Sequence, residues 1–370
     1  MLLVGARGAR SSPTWGCSLA HGDVDSTVDT LVTLPVLLAT HPRYLEHLTG
    51  AHHPERPARL DAVLAGVQAA DLGEALVPFE PRMATRAEVE RVHPAAHVEA
   101  LERFCAEGGG RVDADTRAGS ASFEAAMLAA GAGLEAIERL DRGEGEAAFC
   151  AVRPPGHHAT ATQSMGFCLF NNVAVSAAAL ADRGERVLVV DYDAHHGNGT
   201  QDLFYDDPRV TYVSMHEYPL YPGTGALDDV GRGEGVGATV NFPFPAGTSG
   251  DAYRAAIDDV VVPLAESWQP TWLLLSAGFD AHRRDPLTGL GLSSGDYYDL
   301  TARLVSLVAP GRRLVFLEGG YDLEALRSSS SACLAALAGS VLCPEPPTSG
   351  TAGRDVVAAA LKIRHQTHDG

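Results

Sequence analysis

Two periodicities alternate along this chain. Short apolar runs without polar alternation fall at 35–40, 75–79, 147–152, 187–191, 210–215, 238–242, 271–277 and 314–317. Runs of that kind read as strands covered on both faces. Between several of them lie Ala/Leu-rich stretches with helical spacing, at 56–70, 122–139, 171–182, 251–266 and 295–308. The alternation predicts an α/β fold: one three-layer α/β/α domain around eight mostly parallel strands.

No repeat and no Pro/Ser-rich linker interrupts the middle of the chain, so a single domain is expected over 34–370. Residues 1–33 lack clear periodicity and read as a poorly ordered N-terminal extension. The Pro-, Thr- and Gly-rich stretch 343–353 reads as a loop before a terminal helix.

Composition narrows the function. With 45% hydrophobic and 20% charged residues among 370, the chain is ordinary globular material. No apolar run approaches the length of a membrane helix, and the first residues are too weakly apolar for a signal peptide, so a cytoplasmic location is expected. A net charge of −19 argues against direct nucleic-acid binding and suits a cationic ligand. The six cysteines are scattered without a CxxC pair, which excludes a zinc knuckle and reads as small buried hydrophobes. Lys362 is the sole lysine among 28 basic residues, a coding bias that points to a GC-rich bacterial source rather than to function.

Ligands of open α/β sheets bind beyond the carboxyl ends of the strands. RPPGHHA follows the run at 147, DAHHGNGTQ the run at 187, and SMHEYPLYPGTG the run at 210. SAGFDAHRRDPLTG follows the run at 271, and EGGYD the run at 314. Any one of these has a plain reading as a cap, a turn or a packed histidine. Five at one edge of one sheet do not. Asp193 and His195, alternating on an extended segment, can reach one metal together, and Asp280 completes an Asp/His/Asp set. Those donors suit Zn²⁺ and leave a position for water, whose pKa falls to about 7. The same set would accept Fe²⁺. His157 and His158 are then candidate base and acid, and Tyr321 a donor to a developing oxyanion.

These motifs, with HPERPARL at 53–60 and GFCLFNNVA at 166–174, resemble the zinc-dependent histone deacetylase family of the arginase–deacetylase superfamily. They occur in the family's order over roughly residues 34–338, and RPPGHH, HHGNGTQ and Asn198 are similar to its class II pattern. The resemblance implies the family's eight-stranded parallel sheet and one Zn²⁺ on Asp193, His195 and Asp280. It implies Asp191 behind His157, Asn198 behind His158, and Tyr321 on the acetyl carbonyl. Gly166, Phe167, Tyr221, Leu287 and Gly319 would line the substrate. Asp191, Asp193, His195, Ser214 and Met215 resemble a neighbouring structural K⁺ site. His196 is left to a structural hydrogen bond. Guanidine-hydrolysing relatives use two metals through DxHxD; Gly197 stands at the last position and cannot be a ligand.

The reaction expected is hydrolysis of an N-acyl amide, with metal-activated water attacking and His158 protonating the departing amine. Acetyl-lysine in proteins or peptides is the first substrate class, and an acetylated polyamine the second. Polyamine-selective relatives place a rim glutamate where this chain has Leu287, which favours acyl-lysine. A non-catalytic acyl-lysine-binding protein is the third reading; it ranks last because every ligand, both histidines and the tyrosine are present.

Overall fold

A computed structural model describes residues 33–368 of the chain. One eight-stranded sheet forms its centre, built from β1 (Val36–Ala39), β2 (Leu76–Phe79), β5 (Ala147–Cys150), β6 (Val187–Asp191), β7 (Val210–Glu217), β8 (Thr239–Phe244), β9 (Trp272–Ala277) and β10 (Arg313–Leu317). A separate antiparallel hairpin pairs β3 (Gly109–Arg111) with β4 (Arg117–Gly119). The sheet order is β2-β1-β5-β10-β9-β6-β7-β8, and all its pairings are parallel. Every strand expected from the apolar runs occurs within about two residues of its expected bounds.

The inner strands are buried at every position, as parallel strands covered on both faces must be. Both edge strands instead carry a proline, Pro78 in β2 and Pro243 in β8, which blocks pairing with a further strand. Helices Ala58–Ala69, Ser294–Val305 and Leu323–Ala338 pack side by side as one layer. Helices Ser122–Asp141 and Asn172–Ala181 belong to the other.

Two departures from expectation have physical causes. The helix expected as one piece over 251–266 is Gly250–Ala256, a π segment at Ile257–Val261, then Val262–Trp268. Pro263 has no N–H for the carbonyl four residues back, and the widened turn takes up the break. Helix Leu323–Ala338 was hidden by its SSSS run. There Ser328, Ser330 and Ser331 donate back to carbonyls three residues earlier, so their hydroxyls are satisfied inside a buried helix. Cys105, Cys150, Cys168 and Cys333 are buried as expected, but Cys343 is only half-buried.

The extension expected over 1–33 lies, apart from Thr33, outside the described residues. Among the described residues, no helix is long and apolar enough to cross a membrane.

Candidate active site

The sheet order explains where the chemistry gathers. The last two strands, β9 and β10, insert between β5 and β6, so four loops that are far apart in sequence leave the middle of the sheet side by side. They carry His157 and His158 after β5, Asp193 and His195 after β6, Asp280 after β9, and Gly319 and Tyr321 after β10.

Donor atoms of Asp193, His195 and Asp280 all lie within 4.8 Å of one another. His195 Nδ1 is 3.2 Å from Asp193 Oδ1 and 3.1 Å from Asp280 Oδ2. The strand stops at Asp191, so pleat alternation does not align Asp193 with His195 as the sequence suggested. Two successive side-chain turns do it instead. The Asp193 N–H donates to Asp191 Oδ1 at 3.1 Å, and the His195 N–H donates to Asp193 Oδ1 at 2.9 Å. The remaining carboxylate oxygens are held by backbone: Gly319 N–H on Asp193 Oδ2 at 2.7 Å and Ala194 N–H on Asp280 Oδ1 at 2.8 Å. The Gly319 N–H therefore holds a carboxylate of the donor group. A Cβ there would lie 2.1 Å from Asp280 Oδ2, and one at Gly278 would lie 2.0 Å from Asp193 Oδ2.

The paired histidines stand beside this group, their ring centroids 4.0 Å apart. His157 Nδ1 is 3.0 Å from Asp191 Oδ2, which also accepts from the Tyr212 hydroxyl at 3.1 Å. His158 Nδ1 is 2.9 Å from Asn198 Oδ1. Gly197 leaves no space for any side chain: a Cβ would fall 2.2 Å from Asp191 Oδ2 and 2.6 Å from the Tyr212 oxygen. His196 turns away to bond Thr224 at 2.7 Å and Gln201 at 2.9 Å.

Aromatic side chains stand around the donors. Phe167 lies edge-on to Tyr321 with centroids 5.9 Å apart, and Tyr221 lies edge-on to His158 at 5.2 Å. Tyr221 and Leu287 are exposed, whereas Phe167 and Tyr321 are half-buried. The Tyr321 N–H donates to Asp285 Oδ2 at 2.7 Å, and the Arg59 guanidinium sits 4.9 Å from the Tyr321 ring centroid. Ser214 faces Asp191 in register across β6 and β7, and its hydroxyl is 2.9 Å from His216 Nδ1. The Met215 carbonyl accepts from the Tyr253 hydroxyl at 3.3 Å.

The electrostatics separate the two histidines. Burial opposes charge on His157, but Asp191 and Asp193 outweigh it and hold the imidazole at about 10. His158 is driven well below its ordinary value by burial and then by the charge of His157, with only an amide behind it. Asp280 is pushed up to about 7, first by burial and then by Asp193. Two carboxylates converging in a dry site repel each other, and a cation between them removes that repulsion.

Two supporting carboxylates were given no role by the sequence. Glu318 is buried behind His157 and accepts the backbone N–H of Gly156 at 2.7 Å and of His157 at 3.2 Å. With His157 and Cys168 it forms a second close group of donors, but its carboxylate is already committed to those amides. Glu55 is fully buried between Arg153 and Arg59, joining HPERPARL to RPPGHHA. Burial alone would raise Glu55, yet Arg153, His47 and Arg59 outweigh it and bring the carboxyl to about 2. Each sits inside a quoted motif; only contacts across more than ninety residues assign their work.

Comparison with known proteins decides the family. The Histone deacetylase domain matches residues 53–337. The chain is 38% identical over 340 residues to a probable deacetylase of Archaeoglobus fulgidus, covering 89% of this chain and 94% of that protein. The chain belongs to the histone deacetylase family. Histone deacetylase 15 of Arabidopsis thaliana is 38% identical over 353 residues, covering 93% of this chain, which spans 63% of that longer protein. The crystal structure of the HDA15 HD domain superposes with a TM-score of 0.83 at 36% identity, covering 90% of this chain and 94% of the other. This member is thus a hydrolase of amides that takes acetylated substrates, on a fold with one eight-stranded parallel sheet. The family is generally metal-dependent, and the Asp193, His195 and Asp280 group is a candidate metal-binding set.

Proposed function

We propose that the chain is a zinc-dependent deacetylase that hydrolyses the acetyl amide of acetyl-lysine in proteins or peptides. The observation that carries this reading is the convergence of three donors within 4.8 Å, beside two adjacent histidines with different partners. Two carboxylates and one imidazole make a nitrogen and oxygen set suited to Zn²⁺, with Fe²⁺ as the other metal such donors accept. When bound, the metal supplies a Lewis acid for the acetyl carbonyl and lowers the pKa of water to about 7.

The chain's own residues supply the rest. Asp191 receives the Nδ1 proton of His157 and so aims Nε2 into the site, where the charge that Asp191 and Asp193 hold on the ring stabilises the developing oxyanion. His158, neutral and with its Nδ1 proton held by Asn198 Oδ1, takes the proton of the attacking water at Nε2 and returns it to the departing lysine amine. The Tyr321 hydroxyl donates to the acetyl oxygen as its charge grows. Phe167 and Tyr221 flank the lysine methylenes, and Leu287 contributes apolar contact at the rim. Backbone and side-chain oxygens of Asp191, Asp193, His195, Ser214 and Met215 form a K⁺ site behind the donors. Removal and restoration of K⁺ should change activity or thermal stability without changing zinc content.

The substrate choice rests on Leu287. It is exposed at the turn after Asp285 and offers no charge to the distant ammonium of an acetylated polyamine. The deciding experiment compares kcat/KM for acetyl-lysine peptides with that for N-acetylspermidine, using protein whose metal has been identified. A preference for the peptides is expected; a large preference for the polyamine would overturn the choice. A cytoplasmic location belongs to the same proposal and is tested by fractionating the source cells.

A further inference from the structure

Phe167 occupies the second corner of a tight turn. Gly166 and Phe167 lie at φ +56° and +70°, and the Cys168 N–H donates to the Met165 carbonyl at 2.9 Å. That combination is a type I′ turn, whose corners favour glycine and asparagine. Gly166 is required, because a Cβ there would lie 2.3 Å from His158 Cδ2. A phenylalanine at the next corner is strained, and such a residue persists only where its surroundings hold it.

The turn gives the Phe167 N–H no partner of its own. Thr116 does: the Phe167 N–H donates to Thr116 Oγ1 at 3.0 Å, and Thr116 is fully buried. Thr116 ends the connection between β3 and β4. Asp113 Oδ1 shapes that connection by accepting from the N–H groups of Asp115 at 2.9 Å and Thr116 at 2.6 Å. His53 adds a second route. Its Nε2 is 2.7 Å from the Asp115 carbonyl oxygen, and its ring stands edge-on to Phe167 at 4.7 Å and 74°. The hairpin therefore reaches Phe167 twice, through its backbone and through its ring.

We propose that Thr116 and His53 are positioning residues that hold Phe167 in the tunnel wall and so set the grip on the substrate's methylene chain. The proposal rests on reading Phe167 as that wall. Contact with the methylenes is the same in the ground and transition states, so loss of the wall raises KM more than it lowers kcat.

The test is a double-mutant cycle on the full-length, metal-loaded enzyme with an acetyl-lysine peptide: Thr116→Val, Phe167→Ala and both together, with Thr116→Ser as the conservative control. Thr116→Val should raise KM about three- to tenfold, the range of one lost hydrogen bond, with a smaller change in kcat. Thr116→Ser should restore KM. In the Phe167→Ala background, Thr116→Val should add almost nothing. His53→Ala should show the same dependence on Phe167. An equal penalty in both backgrounds, or an unchanged KM in folded Thr116→Val protein, overturns the proposal. If Thr116→Val does not fold, Asp113→Ala removes the acceptor that shapes the same turn and carries the cycle in its place. If the wild-type enzyme ignores acetyl-lysine but hydrolyses another acylated amine, the substrate reading fails, and the same cycle on that amine still decides the role of Thr116.

Discussion

At the scale of single residues, the site depends as much on atoms that are missing as on those present. Gly197, Gly278 and Gly319 each stand where a Cβ would strike a carboxylate of the donor or histidine machinery. Gly319→Ala should weaken metal binding roughly tenfold or more, because the methyl displaces the carboxylates that its own N–H helps to orient. Metal content after dialysis against a weak chelator reads this directly, and retention equal to wild type would contradict it. Tyr321→Phe should lower kcat roughly a hundred- to thousandfold while KM moves little, since the hydroxyl acts on charge that develops late. Steady-state kinetics on an acetylated peptide would show it; equal kcat would remove Tyr321 from its proposed role. The residues bearing polar chemistry could be read from the strand ends. The packing glycines could not, because what a Cβ would meet depends on side chains up to 126 positions away.

At the scale of elements, the strands were legible and several helical features, Ala95–Ala106 among them, were not. Continuous apolar runs fall where both faces of a strand are covered, and that pattern survives without knowledge of partners. Helix Leu323–Ala338 was hidden because its serines look like a loop. Its reason lies across the interface, where Gly66 of helix Ala58–Ala69 meets Ser330 and the Arg327 carbonyl. A Cβ at Gly66 would sit 2.2 Å from Ser330 Oγ and 2.5 Å from that backbone oxygen. Gly66→Ala should therefore destabilise the fold by roughly 1–3 kcal/mol despite its better helix propensity. Urea unfolding measures this, and a stabilised variant would show that the two helices can separate at no cost. The β3–β4 hairpin was missed for another reason: three residues per strand are too few to display a period.

At the scale of the whole molecule, buried histidines set the response to acid. His47 and His93 are each lowered to about 4 from their ordinary 6.5, in both cases chiefly by burial. His93 Nε2 accepts the Asn171 N–H at 2.9 Å, so its neutral form is built into the fold. In the unfolded chain both histidines bind protons near 6.5, while in the folded chain they do so only near 4. Stability should therefore fall as pH drops through that window, by roughly 1.4 kcal/mol per unit for each histidine. Glu55 acts in the same direction at lower pH: its folded value of about 2 lies below the ordinary 4.5, so its contribution is present above 4.5 and lost toward 2. Asp280, raised to about 7, pulls the other way, so the test isolates one histidine: the urea midpoint should show a smaller loss between pH 7.5 and 4.5 in His93→Gln than in wild type, and an equal loss would mean that His93 is not buried as described.

The sequence by itself determined the fold class, the eight strands of the sheet, and which side chains would meet at its carboxyl edge. It could do so because burial on both faces and polar residues after strands leave local patterns. Only the tertiary structure decided how those side chains are held. Insertion of β9 and β10 between β5 and β6 brings four distant loops together, side-chain turns rather than pleating align Asp193 with His195, and Thr116 on an unannounced hairpin meets Phe167. Such contacts join residues far apart in the chain, and no local period records them.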